Sequence, residues 1–173
     1  MTDNGGQRPL SIAVIGAGDC DDSLAREANL VGAEIARRGS VLICGGRSGV
    51  MAAASQGARL AGGTVVGVLP GRDAIESPPN THVSLALFTG LGQARNLVVV
   101  LSAAAVIAIG GGWGTLSEIA LARKHGIPVV FLGSWALEPP ASTSIEPPLI
   151  ARDARDAVEL AHRWADRRRL GIE

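Results

Sequence analysis

With 173 residues, 47% of them apolar and 18% charged, the chain has the composition of one globular domain and is short for two. Its 16 basic and 16 acidic side chains cancel, which argues against a nucleic-acid partner, because such proteins carry a basic balance. Aromatics make up only 3%, and Ala, Val, Ile, Leu and Gly carry the apolar content, a mix that suits helices packed closely on a parallel sheet.

Residues 1–9 are polar and read as a flexible N-terminus without a signal peptide, and 10–169 read as the single domain. Strands are expected at Leu10–Ile15, Val41–Cys44, Thr64–Leu69, Ser84–Phe88, Ala105–Ile109 and Pro128–Leu132, with a short last one at Leu149–Ala151. Between them, Ala-rich stretches predict helices at Ser23–Arg38, Val50–Ala61, Leu91–Ser102, Thr115–His125 and Asp153–Arg168. This alternation is the signature of βαβ units: an α/β fold, Rossmann-like, with a mostly parallel sheet of about six or seven strands and helices on both faces. Gly39 and Gly126 fit the residue just past a helix end, and Asp153 can cap the last helix, whose Val158, Ala161 and Ala165 form an inward stripe. Gly133 to Pro148, rich in proline and small residues, reads as a surface loop. The longest apolar run, Leu97–Ile109, contains Ser102 and is too short to span a bilayer, so no membrane partner and a cytoplasmic location are expected. Cys20 and Cys44 lack metal-ligand spacing and read as reduced thiols. Asp19, Asp21 and Asp22 are better explained as acids favouring a helix start than as a metal site, so no metal is expected.

Three glycine-bearing loops follow predicted strands: Gly16-Ala17-Gly18-Asp19, Gly45-Gly46-Arg47-Ser48-Gly49 and Gly110-Gly111-Gly112-Trp113-Gly114. Open α/β sheets bind ligands at the carboxyl ends of their strands, and a glycine loop running into a helix start brings backbone N–H donors close to an anion. A dinucleotide fingerprint would need glycine at the position of Asp21 and an acid where Cys44-Gly45 ends the second strand. A P-loop needs Gly-Lys-Ser/Thr, yet the one lysine, Lys124, lies between Arg123 and His125. That lysine is placed late in a helix, far along the chain from every glycine loop, so pyridoxal-phosphate chemistry through a Schiff base is also excluded.

Gly111-Gly112-Trp113-Gly114-Thr115 with Glu118 resembles the PGGxGTxxE motif of the Rossmann family long labelled "possible lysine decarboxylase", which includes the LONELY GUY phosphoribohydrolases. Gly45-Gly46-Arg47-Ser48-Gly49-Val50-Met51 resembles its second motif, GGGxxGLM, and the likeness runs from about Leu10 to Leu132. The family's active pair is an arginine and the motif glutamate, which the resemblance carries onto Arg95 and Glu118, 23 positions apart. This sequence departs from the pattern in having Gly110 for the motif proline, Asn96 for a lysine and Val99 for a methionine. Those departures, in Thr89-Gly90-Leu91-Gly92-Gln93-Ala94-Arg95-Asn96 and Ile109 to Ala120, resemble a sister branch that includes the molybdenum cofactor carrier proteins, binders of a phosphorylated pterin.

The resemblance implies a ligand site made by Gly16, Ala17, Gly18, Gly45, Gly46, Gly49, Met51, Gly90, Asn96, Gly111, Gly112, Gly114 and Thr115, with Arg95 and Glu118 as its active pair. Two functions stay open: a carrier of a small phosphorylated ligand, either molybdenum cofactor or a nucleoside monophosphate, and a phosphoribohydrolase splitting nucleoside 5′-monophosphates. Neither requires a resident cofactor. A third is a nucleotide-sensing module without turnover, related to DNA processing protein A. The resemblance also implies a homodimer or higher homo-oligomer. Residue by residue, blander roles compete: Thr115-x-x-Glu118 is also a capping box, Arg95 a surface residue opposing its helix dipole, Trp113 a shield or a subunit contact, and Asn80 and His82 loop residues.

Overall fold

The computed structural model describes residues 8–136 and 149–171. Most of the expected N-terminal tail, and 137–148 of the expected surface loop, lie outside these residues. Seven strands, β1 (Ser11–Gly16), β2 (Val41–Cys44), β3 (Val65–Leu69), β4 (Leu85–Phe88), β5 (Ala105–Ile109), β6 (Val129–Leu132) and β7 (Leu149–Ile150), form one sheet ordered β4-β3-β2-β1-β5-β6-β7. All six pairings are parallel. The helices are α1 (Asp22–Arg37), α2 (Val50–Leu60), α3 (Arg95–Leu101), α4 (Trp113–Lys124) and α5 (Ala154–Leu170).

Because side chains alternate along a strand, each central strand feeds two cores. Ile12 and Val14 of β1, with Ile107 and Ile109 of β5, pack under α1, α2 and α5; Ala13, Ile15, Val106 and Ala108 face Val99, Val100, Ile119 and Ala122 of α3 and α4. The helices therefore cover both faces of a single α/β domain. β4 is the exception: it closes one edge with Leu85, Leu87 and Phe88 exposed. No helix among the described residues is long and apolar enough to cross a membrane.

The helix ends follow simple chemistry. Asp21 caps α1, its carboxylate accepting from the Leu24 amide at 2.8 Å, and Asp153 caps α5 by accepting from Asp156 at 2.8 Å. Gly39 and Gly126 take φ of +72° and +64° just past α1 and α4. Two starts differ from expectation. The segment beginning at Leu91 is not one helix: Gly92–Ala94 form a 3₁₀ turn and α3 begins only at Arg95. α4 begins at Trp113 rather than Thr115, with Gly112 at its N-cap and no side-chain cap at all. The Thr115–Glu118 capping box is therefore not formed. Both residues lie inside the helix and are buried, which frees Glu118 from a capping role.

Candidate functional site

The chain leaves β1 for α1 on one face of the sheet and leaves the neighbouring β5 for α4 on the other, with Gly16 paired in register to Ile109. Divergence of two adjacent strands opens a crevice at their carboxyl ends, the usual ligand position of an open α/β sheet. The three glycine loops meet there. Gly49 packs so closely on the first loop that a Cβ would lie 2.3 Å from the Ala17 carbonyl oxygen. The Val50 amide donates to that oxygen at 3.0 Å, and the Ser48 hydroxyl donates to the Gly18 carbonyl at 2.8 Å. The second loop is held from behind by Asn80, whose amide N–H donates to Gly46 O at 2.8 Å and whose side chain donates to Arg47 O at 3.1 Å. Asn80 thus positions a loop, and its carboxamide oxygen accepts from the His82 amide at 3.0 Å.

In the third loop Gly111 holds φ +120°, and a Cβ there would meet the Thr115 side chain at 2.5 Å. Only glycine lets the backbone turn this tightly over the first turn of α4. The first four N–H groups of any helix lack partners inside it, and here neither a side-chain cap nor a first-turn acid answers them. Ser134, just after β6, donates its hydroxyl to Gly110 O at 2.6 Å and ties the next loop to this one.

Beside these loops lies the pair that the resemblance singles out. Arg95 is the first residue of α3, 7% exposed, and Glu118 lies on α4, 8% exposed. Arg95 Nη1 approaches Glu118 Oε1 at 3.5 Å, a loose contact, and also donates to the Asn96 carboxamide oxygen. The Asn96 side-chain amide reaches the Ser117 hydroxyl at 3.5 Å, and that hydroxyl donates to Gly114 O at 2.7 Å. Among the described residues nothing partners the buried Arg95 Nε. Burying a cation beside only a loose carboxylate is costly, and its place at a helix start adds to the cost. Burial pulls the guanidinium below its usual pKa against the opposing pull of Glu118, and the nearby Arg47 lowers it further. Burial also pushes the Glu118 carboxyl up to about 7, with Arg95 only partly offsetting it. The pair is an under-satisfied charge site, not a finished salt bridge.

The remaining expected residues fall into two groups. Gly45 borders the guanidinium, since a Cβ there would lie 3.0 Å from Arg95 Nη2 and 2.9 Å from Met51 Sδ, which places the half-buried Met51 at the site's wall. Gly46 and Gly49 shape the same loop with φ of +69° and +65°. Gly112, Gly114 and Thr115 form the start of α4. Gly90, by contrast, is a turn residue whose amide donates to Gly71 O at 2.9 Å, away from the pair. Gly16, Ala17 and Gly18 lie at the carboxyl end of β1, where the Ala17 and Gly18 carbonyls are engaged by the second loop. Cys44 lies beneath the pair, its sulfur accepting from the Gly46 amide at 3.3 Å, and burial pushes its thiol pKa up. Sequence reasoning did not single out Arg47, Ser117, Ser134 or Trp135. Arg47 already stood inside the second motif as its one cation, which was the available signal.

Residues 9–160 match the profile of the SLOG cluster4 family. The chain belongs to that family. An uncharacterized protein of Archaeoglobus fulgidus is 44% identical over 138 residues, covering 76% of this chain and 89% of its own length. Among solved structures, this SLOG cluster4 chain is similar to the molybdenum cofactor binding protein of Rippkaea orientalis, with a TM-score of 0.83 and 40% identity over 91% of this chain and 98% of that one. It is also similar to the molybdenum cofactor carrier protein of Chlamydomonas reinhardtii, with a TM-score of 0.79 and 36% identity over 92% and 99% of the two chains. A more distant likeness to DNA processing protein A of Streptococcus pneumoniae, at 15% identity and a TM-score of 0.64, covers 87% of this chain and 61% of that one and shows a shared fold alone.

Proposed function

We propose that the protein binds a phosphorylated, nucleotide-like ligand at the carboxyl edge of the sheet, in the manner of a molybdenum cofactor carrier. The observation that carries this reading is the buried Arg95, whose Nε lacks a partner among the described residues while its Nη1 stands 3.5 Å from Glu118 Oε1. A phosphate fits that deficit: it would accept charge-assisted bonds from the guanidinium and from the first-turn amides of α4, with the Thr115 hydroxyl as a further donor. Similarity at 36–40% identity to proteins described as binding or carrying molybdenum cofactor supports a phosphorylated pterin as the cargo. Mass spectrometry under native conditions of the protein as purified tests this directly. A retained phosphorylated pterin or nucleotide, lost in Arg95→Ala, is the expected result; a ligand-free protein that binds no phosphate ester in calorimetry would end the proposal.

One feature favours a second reading, a nucleoside 5′-monophosphate phosphoribohydrolase. Glu118, with its carboxyl near 7, is poised for use at neutral pH. Cleaving an N-glycosidic bond builds oxocarbenium character, which the ionised carboxylate would stabilise while orienting water, with Arg95 anchoring the ligand. Incubation with adenosine 5′-monophosphate and assay for free base and ribose 5-phosphate decides between the two. Turnover should rise with pH through about 7 and vanish in Glu118→Ala. No release from any common nucleoside monophosphate, with binding intact, leaves the carrier. We further infer a homo-oligomer, for which the exposed Leu85, Leu87 and Leu91 along the β4 edge offer apolar surface; sedimentation velocity tests it.

A further inference from the structure

Two of the chain's three tryptophans meet beside the start of α4, the helix that carries Glu118. Trp113 opens α4 immediately after Gly112 and is 81% exposed. Trp135 follows β6 and is half-buried, its ring centroid 5.6 Å from that of Trp113 with the planes tilted by 44°. A tilted neighbour supports one indole without stacking over it, so most of the Trp113 surface stays open. The arrangement is also anchored. The 2.6 Å bond from Ser134 to Gly110 O fixes the loop of Trp135 to the glycine loop that precedes Trp113. The backbones that carry the two rings are therefore tied together at the start of α4, five residues before Glu118 on the same helix.

We propose that Trp113, backed by Trp135, is the ring-binding end of the site and takes the planar heteroaromatic part of the ligand by stacking. This rests on the phosphate-ligand reading above and adds the class of group that the phosphate carries. Aromatic side chains stack on any flat heterocycle, because every base has a π-face, and the gain does not depend on a particular hydrogen-bond pattern. Trp113 is one residue from the Gly112 amide, so a ring attached to a phosphate held at that loop lies within its reach. A second copy of the chain is the rival occupant. It would have to supply an acceptor to the open α4 amides as well as an apolar cover, whereas a phosphate ester supplies both with its two ends.

Calorimetry with adenosine 5′-monophosphate and with ribose 5-phosphate, on the native chain and on Trp113→Ala and Trp113→Phe, separates these ideas. The native chain should bind the nucleotide about tenfold more tightly than the sugar phosphate. Trp113→Ala should lose that advantage and leave ribose 5-phosphate affinity unchanged, while Trp113→Phe keeps most of it. Equal affinity of the native chain for the two probes, or an advantage that survives in Trp113→Ala, overturns the ring platform and leaves the phosphate site standing. A native chain that binds neither probe overturns both. Loss of self-association in Trp113→Ala with the nucleotide preference intact assigns the ring to a subunit contact and likewise overturns the proposal. Because Trp113 is so exposed, its removal should leave the fold intact, which circular dichroism checks.

Discussion

The starts of α1 and α4 are built from the same parts and do opposite things. Both follow central strands that lie side by side, and both are entered through glycines. At α1 the free amides are answered from within: Asp21 caps the helix, Asp22 adds a second acid to the first turn, and the preceding carbonyls are taken by Ser48 and Val50. At α4 no side chain among the described residues caps them; Gly112 carries none, and the first acid, Glu118, lies beyond the first turn, buried against Arg95. A glycine loop at a strand end is therefore not in itself an anion site. What differs is whether the sequence has already placed a negative group at the helix start, and that divides the crevice into a closed wall and an open one.

This contrast can be broken at several points. The largest effect is expected at Arg95. Arg95→Ala should weaken binding of ribose 5-phosphate by roughly 10- to 100-fold, the range for a lost hydrogen bond to a charged group, whereas Asp21→Ala should leave that affinity unchanged. Isothermal calorimetry on both variants reads the difference, and equal losses would erase the distinction between the two walls.

The acid of the open wall also has a pH signature. Because the folded chain raises Glu118 from 4.5 to about 7, it holds a proton that the unfolded chain has released in that interval. Stability from this group is full below about 4.5 and declines as pH rises through about 7. The loss is on the order of 3 kcal/mol across that window. Urea unfolding at several pH values should register this slope in the native chain, and Glu118→Gln should flatten it. A slope that persists in the variant would mean that another group carries the effect.

Two smaller effects concern the backbone. Gly111→Ala forces a side chain into φ +120° and onto Thr115, and should cost about 1–3 kcal/mol of stability together with the phosphate site. Thermal unfolding and calorimetry on one preparation measure both. Asp21→Ala removes a cap and should cost only about 1 kcal/mol, read from the urea midpoint. If it cost as much as Gly111→Ala, the closed wall would be more than a capped helix.

Much of this architecture is legible in the sequence. Short apolar runs mark every strand to within a residue, and five of the seven are stopped by glycine or proline; the central ones are legible because a buried parallel strand has few other compositions open to it. The Arg95–Glu118 pair came from a resemblance, which fixes identity and spacing but not physical state. That both are buried, and that Arg95 Nε is left without a partner, follows from how α3 and α4 pack on the sheet. Thr115-x-x-Glu118 misplaced a helix start because the same spacing serves a capping box and one face of a helix interior. Only Gly112, silent as a side chain, decides which it is. Arg47 lay in plain view inside the second motif, whereas Trp135 was out of reach for a topological reason: it follows β6, which lies beside β5 only because the strand order is not the chain order.

The bonds that stitch the first two loops, from Val50 to Ala17 and Ser48 to Gly18, and the bond from Asn80 to Gly46 that braces the second from behind, have a kinetic consequence. Loops already fixed to one another during folding have little disorder left to surrender when a ligand arrives. Capture should then be a single-step encounter, its observed rate rising in proportion to ligand concentration without a plateau, and affinity should be set by how slowly the ligand leaves.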